Sequence, residues 1–235
     1  MIPIFIITCD RLVCLKESIA SYNAYIKTPF EIVIVDFGST YQPTIEFLKQ
    51  LEAQGTKVYW KDKIGVLGEF SRANDCIQDY FTTHPESNYI VTDPDVALDN
   101  VKGDVLEVYS FLLEVNPSTC VVGPMLRIDD IPDHYPLKTA LVSGIMGLHK
   151  QFHSQPKYGI TYKGSVLGYI TAPIDTTFGM YRAGAPWRQL QNGIRVLAPY
   201  QARHLDWYVD PDNMTTDQAY YTAHANPNIA HWGKL

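Results

Sequence analysis

Long apolar runs are missing from this chain. No stretch approaches the roughly 18 consecutive apolar residues that a membrane-spanning helix needs, so no membrane span is expected. Cysteine is scarce and unpatterned: Cys9, Cys14, Cys76 and Cys120 include no CxxC pair. That spacing suits neither a zinc ribbon nor a disulfide framework, and the four are expected to be reduced thiols. Positive charge is in short supply, with 19 Lys and Arg against 25 Asp and Glu and a formal charge of −6. An acidic chain grips phosphate backbones poorly, so no nucleic-acid partner is expected. Phosphate-cradling loops are missing too. There is no GxxxxGK(S/T), and no GxGxxG follows the first apolar run; "GVLGEF" is too loose to count. A P-loop ATPase and a dinucleotide-binding enzyme are thereby disfavoured.

What is present fits one large globular domain. The chain has 235 residues, 46% hydrophobic and 19% charged, enough for a sizeable core. The apolar start "MIPIFIITCDR" lacks a basic n-region and a small-residue cleavage site, and reads as a first strand, not a leader. Leu15, Ile19, Tyr22 and Ile26 then recur at helical spacing. "EIVIVDF" is a second buried strand, and Ile45, Leu48 and Leu51 mark a second helix ended by Gln54-Gly55. "KVYW" is a third strand, a helix covers about Ser71 to Tyr80, and "YIVTD" is a fourth strand. A helix from about Val101 to Val115 and the strand "TCVVG" follow. Such alternation predicts an α/β fold with a mostly parallel sheet covered on both faces. After Pro124 the rhythm breaks. Residues 124 to 160 show little periodicity, and the strands "SVLGYIT", "TFGMYR" and "IRVLAPY" follow. Thr215 to Gln218 has capping-box spacing, so a short helix is expected there. No linker or repeat interrupts the chain. The expectation is one domain over 1–235, with halves 1–123 and 124–235, the second being a mixed extension built onto the sheet.

Ligands of open α/β sheets bind beyond the carboxyl ends of the strands. There the first strand gives Thr8-Cys9-Asp10-Arg11, the second Asp36-Phe37-Gly38-Ser39, and the fourth Asp93-Pro94-Asp95. In an extended chain residues i and i+2 point the same way. Asp93 and Asp95 would then converge, and their repulsion is reversed by a divalent cation. Hard oxygen ligands suit Mg²⁺ or Mn²⁺ shared with substrate phosphates. The alternative from spacing alone is a strand-ending turn with two solvated carboxylates. A second DxD, Asp210-Pro211-Asp212, precedes the capping box and reads as a turn.

Taken in order, the Thr-x-Asp-Arg turn, "VIVDFGST", "SRANDCI" and "YIVTDPD" resemble a GT-A glycosyltransferase of the inverting, family-two-like branch. The later run from "APIDTTFGMYR" to "DPDNMTTDQAYY" is similar to small enzymes of that kind from bacteria and large DNA viruses. The resemblance implies a GT-A, Rossmann-like fold whose second half binds the acceptor. It implies transfer of a sugar from a nucleotide diphosphate sugar, a UDP-sugar by analogy, to a glycan hydroxyl with inversion, aided by Mn²⁺ (or Mg²⁺). By that resemblance Asp36 accepts a hydrogen bond from uracil, with Thr8 and Arg11 nearby. Arg72 and Asn74 lie on the nucleotide side, where the order here is Arg-Ala-Asn instead of Ala-Arg-Asn. Asp93 and Asp95 flank the ribose and hold the metal on the diphosphate, Asp95 being the better candidate for the direct bond, and a histidine completes the metal shell. His204, set among aromatic and acidic neighbours, is the choice for that ligand, with His231 as the weaker alternative; His149 and His153 read as surface residues. Asp175 is the expected general base and Asp206 its runner-up. Trp187, Trp207 and Tyr208 are candidate platforms for sugar rings, although isolated aromatics are more often core. Rival readings are a retaining transferase of the same fold and an inactive nucleotide-sugar-binding module; a nucleotidyltransferase is weaker still, because its Gly-rich first loop is missing. The reduced cysteines point to the cytoplasm, or the host cytoplasm for a viral chain, where the sequon at Asn213 has no consequence.

Overall fold

The computed structural model describes residues 1–143, 155–188 and 191–226. The first half alternates as its periodicity predicts. β1 (Ile2–Thr8) leads to α1 (Leu12–Tyr25), β2 (Phe30–Phe37) to α2 (Gln42–Ala53), and β3 (Lys57–Lys61) to α3 (Ala73–Thr83). β4 (Tyr89–Thr92) and the two-residue β5 (Val96–Ala97) precede α4 (Val105–Val115) and β6 (Val121–Pro124). The second half supplies α5 (Pro136–Ser143), β7 (Tyr158–Tyr162), β8 (Ser165–Ile174), β9 (Gly179–Tyr181), β10 (Gln191–Val196), β11 (Arg203–His204) and α6 (Thr216–His224).

Nine strands form one sheet in the order β3-β2-β1-β4-β9-β6-β10-β8-β7. β1 runs parallel to β2 and β4, β2 to β3, and β6 to β10. β9 inserts antiparallel between β4 and β6, and β8 lies antiparallel to both β10 and β7. Strands from both halves of the chain thus share one sheet. A separate pair, β5 with β11, joins Val96 to His204 and Ala97 to Arg203.

The alternation of side chains along each strand explains the unbroken apolar runs. Ile4, Ile6, Ile34 and Ile90 pack on one face with Leu15 and Tyr22 of α1 and Leu106, Tyr109 and Leu112 of α4. Phe5, Ile7, Val33, Val35 and Val91 pack on the other with Cys76, Ile77 and Tyr80 of α3. A strand buried on both faces has no polar side to show.

Some expectations shift. The helix expected from Val101 begins at Val105, and the one expected from Ser71 begins at Ala73, after a 3₁₀ turn over Leu67–Arg72. The stretch that showed little periodicity contains α5 and the start of β7. β5 and β11, at two residues each, are too short to carry a period. The capping box forms: Thr215 and Gln218 exchange hydrogen bonds at 2.9 and 3.2 Å. Asp210 accepts from Asp212 N at 3.0 Å and Asn213 Nδ2 at 2.7 Å, so the second DxD is a local turn.

α1 has no side-chain cap of its own. Instead Asp217, buried on α6, accepts from Leu12 N at 3.0 Å and Val13 N at 3.1 Å. A carboxylate at a helix N-terminus satisfies orphan N–H groups and meets the positive end of the dipole. This contact fastens the end of the chain to its beginning. Asp217→Ala is expected to cost about 1–2 kcal/mol in urea denaturation, and Asp217→Asn, which keeps one acceptor oxygen, less; equal stability of Asp217→Ala and the native protein would contradict the cap.

Candidate active site

Asp93-Pro94-Asp95 stands at the carboxyl end of β4, as expected, but in a turn between β4 and β5 and not in extended chain. Proline halts the strand and removes a donor. The pair is therefore set by what grips the turn. α1 grips it from below: Ser18 donates to Pro94 O at 2.8 Å, Tyr22 to Val96 O at 2.6 Å, and Leu98 N donates to Ser21 Oγ at 3.0 Å. Leu205 N donates to Asp95 O at 2.6 Å from beside β11, and Asp93 N to Thr176 O at 2.7 Å from the segment joining β8 and β9. Three parts of the chain, far apart in sequence, thus fix one turn.

Charge is concentrated there. Arg11 Nη2 lies 3.3 Å from Asp95 Oδ2 and pairs closely with Asp206 Oδ1; its guanidinium sits 4.3 Å from the centre of the Tyr221 ring. His204 Nδ1 is 3.5 Å from the same Asp95 oxygen, and its ring stacks on Trp207. Thr176 Oγ1 donates to Asp93 Oδ2. Burial and repulsion from Asp95 push the Asp93 carboxyl well above the usual range. Burial pushes Asp95 up as well, but His204 and Arg11 more than offset it and hold that carboxyl low. Burial raises Asp206 against the pull of Arg11. One arginine thus faces three acids, and Asp93 bears the deficit.

The neighbouring rim is built by β1 and β2. Asp10, in the left-handed region at φ 54°, accepts from Thr40 N at 2.5 Å and Tyr41 N at 2.7 Å. Its own N–H donates to Ser39 Oγ at 2.8 Å. Asp36 accepts from Ser39 N at 3.0 Å and from the Ser39 hydroxyl, and burial raises its carboxyl despite those bonds. Thr8 Oγ1 is buried with no partner among the described residues. α6 lies across this rim, with Tyr220 Oη 3.1 Å from Thr40 Oγ1 and its ring against Tyr41. Asn74 faces elsewhere: its amide clamps Trp187, donating to O and accepting from N at 2.9 Å each. Arg72 Nη2 donates to Asp62 O at 2.7 Å, and the guanidinium lies near the Phe37 ring.

Asp175 is brought to the cluster. Its charge contributes to the raising of Asp93, and its Oδ1 is buried without a hydrogen-bond partner among the described residues. Buried Arg195 holds its segment, donating to Pro173 O at 2.8 Å, Pro124 O at 3.0 Å and Thr177 Oγ1 at 3.3 Å. The lone arginine inside the apolar run "IRV" was the sequence signal for this, since a buried cation must be placed on acceptors. Asp10 and Asp217 were also missed as organisers; each sits in a stretch read only for its neighbours. Trp187 and Trp207 are only 2% and 0% exposed, so both are core, not platforms. Tyr208 is half-buried, with its hydroxyl donating to Asp130. Asp206, locked to Arg11, is a counter-ion instead of a free base. His149, His153 and His231 lie outside the described residues.

A divalent cation finds suitable donors here in kind. Asp95 Oδ1 is buried and unpartnered among the described residues, and Asp93 and the His204 imidazole stand beside that carboxylate. Oxygen and imidazole ligands suit Mn²⁺ or Mg²⁺. Among the described residues no three or more His, Cys, Asp or Glu are gathered closely enough to hold a metal ion as they stand. Arg11 shares the Asp95 carboxylate, so the acids are only partly organised for an ion.

No protein-family model matches the sequence, and no curated protein matches it. Solved structures match it in part. Mannosyltransferase PcManGT from Pyrobaculum calidifontis, in complex with GDP-Man and Mn²⁺, is 16% identical over 55% of this chain and 36% of its own, with a TM-score of 0.41. S. aureus TarS in complex with UDP-GlcNAc is 14% identical over 77% of this chain and 45% of its own, TM-score 0.45. Glucosyl-3-phosphoglycerate synthase from Mycobacterium tuberculosis, in complex with Mn²⁺, UDP and glucosyl-3-phosphoglycerate, is 15% identical over 62% and 51%, TM-score 0.38. The chain spans 36% to 51% of the length of these proteins. The likeness is a partial one, and it is of fold alone.

All four cysteines are free thiols. Burial pushes Cys9 and Cys14, which flank Arg11, up to about 12. Thiolate is the reactive form. In brief iodoacetamide labelling of the native protein at pH 8.5, read by peptide mass spectrometry, exposed Cys120 is expected to alkylate first and Cys9 and Cys14 to stay unmodified. Early labelling of Cys9 would contradict the burial of this rim.

Proposed function

We propose that this chain is a metal-dependent glycosyltransferase. It moves a sugar from a nucleotide diphosphate sugar, a UDP-sugar, to a hydroxyl of a glycan acceptor, with inversion at the anomeric carbon. The observation that carries this reading is the meeting of Asp93, Asp95 and Asp175 at the carboxyl edge of the sheet. Asp95 and Asp175 each keep one buried oxygen unpartnered among the described residues, and both raise the Asp93 carboxyl, behind burial.

The residues divide by position. We assign Thr8 and Asp36 to the nucleoside, together with Arg72, whose guanidinium lies near the Phe37 ring. Arg11 keeps its charge because Asp206 and Asp95 outweigh the cost of its burial. Paired with Asp95 and Asp206 just before α1, it is the cation we assign to the diphosphate. Asp95, Asp93 and His204 would hold Mn²⁺ or Mg²⁺; a bound ion supplies Lewis-acid stabilisation of the leaving diphosphate, worth several kcal/mol. Asp175 takes the proton of the attacking hydroxyl. It is suited to this because its free oxygen points from a segment anchored by Arg195, and general bases need fixed geometry first and basicity second.

The test is turnover of a panel of UDP-sugars with and without Mn²⁺, with the product anomer read by proton NMR. Asp175→Asn is expected to lower kcat by about 10²–10⁴ while leaving donor affinity unchanged in calorimetry. Asp95→Asn is expected to abolish both turnover and the Mn²⁺-dependent part of donor binding. A fully active Asp175→Asn, or a product that retains the donor configuration, would overturn the assignment of the base; donor binding without turnover of any sugar would overturn the enzyme reading.

A further inference from the structure

A second concavity lies away from the acids. It is a cavity of about 330 Å³, inside the roughly 300–1,000 Å³ range of small-molecule sites. Ser118 and Thr119 border it from the loop entering β6, at the amino end of that strand, the end opposite the one where Asp93 and Asp95 stand. Thr171 of β8 and Asn192 of β10 contribute from the sheet, and Tyr158 and Tyr169 close one side. None of the residues of the carboxylate site borders it.

Three features define what it can hold. The first is its polarity without charge: no Asp, Glu, Lys, Arg or His lines it among the described residues. Phosphates and carboxylates are recognised by charge-assisted bonds, so a nucleotide or an acidic ligand has nothing to pair with here. The second is that its side-chain polar groups are hydroxyls and the amides of Asn116 and Asn192, each both donor and acceptor, with the Asn116 amide donating to Leu112 O. Among the described residues, the side-chain polar ends of Ser118, Thr171, Asn192, Tyr158 and Tyr169 make no hydrogen bond within the protein, so they are open to a ligand. The third is an aromatic pair. Tyr158 and Tyr169 face each other in register across β7 and β8, ring centroids 5.6 Å apart and 30° between planes. Tyr158 is nevertheless 50% exposed. A ring pair that leaves apolar area in water, edged with hydroxyls, suits a partner that is apolar on one face and polyhydroxyl at its edge. A pyranose ring has that character, and tyrosine supplies both halves of the match.

We propose that this groove is a binding site for an uncharged oligosaccharide, separate from the carboxylate site. It stands without the transfer reading, because it concerns binding in the absence of any donor. If transfer is confirmed, the ligand is the acceptor chain, held at a distance from its reacting end.

Saturation-transfer NMR on the native protein, without donor or metal, tests the proposal with maltotriose, cellotriose and mannotriose as neutral probes and a sulfated heparin disaccharide as the charged control. At least one neutral trisaccharide is expected to show transfer, and the control none. Tyr158→Ala and Asn192→Ala are expected to weaken that binding at least about 10-fold, with unchanged melting temperatures, since both side chains are exposed. Asp95→Asn is expected to leave it intact. Absence of transfer to all three probes, transfer that survives both groove variants, or transfer lost in Asp95→Asn would each overturn the proposal.

Discussion

The rim of this sheet is governed by a surplus of buried negative charge. Asp93, Asp95 and Asp206 meet with Arg11 as the close cation and His204 beside them. Two carboxylates that share a site cannot both ionise cheaply. The structure divides the burden unequally: Asp95 is held low by His204 and Arg11, and Asp93 is forced high by burial and by Asp95 itself. Such an arrangement lowers stability unless another cation joins it, because an unpaired buried charge costs several kcal/mol. A site that must accept a positive ion and a diphosphate together is one place where that cost has a use.

The rest of the fold can be understood as the frame that keeps the acids in place. α1 presents an apolar face to the sheet, and on its margin Ser18, Ser21 and the Tyr22 hydroxyl hold the Asp93–Leu98 segment. β11 places His204 opposite Val96 and lets Leu205 bond Asp95 O. Thr176, on the segment anchored by Arg195, holds Asp93 and brings Asp175 alongside. Asp217 ties α6 to the start of α1, one residue past Arg11. The second half of the chain therefore completes the site that the first half starts, and neither half alone contains the acids and their supports.

The strand–helix order of the first half was legible because both-face burial leaves unbroken apolar runs and α-helices leave a period. The strand ends were legible as well, and with them Thr8, Arg11, Asp36, Asp93 and Asp95. The partners of those residues were not. That Arg11 pairs with Asp206, that Asp217 caps α1, and that Arg195 anchors the Asp175 segment are contacts between residues 18 to 205 positions apart, and no local pattern encodes them. The tryptophans were ambiguous for a related reason: an isolated aromatic fits either a ring platform or the core, and only packing shows Trp187 and Trp207 to be core. Asn74 illustrates the same limit, since a motif gives its residue type but not that its amide is spent on the backbone of Trp187.

The proposed transfer requires the acids at the end of β4 to be completed jointly by a divalent cation and a nucleoside diphosphate. Differential scanning fluorimetry with UDP, with Mn²⁺, and with both measures this most directly. The two together are expected to raise the melting temperature by more than the sum of their separate shifts, and EDTA to remove the excess. A UDP shift that is the same in Mn²⁺ and in EDTA would contradict it.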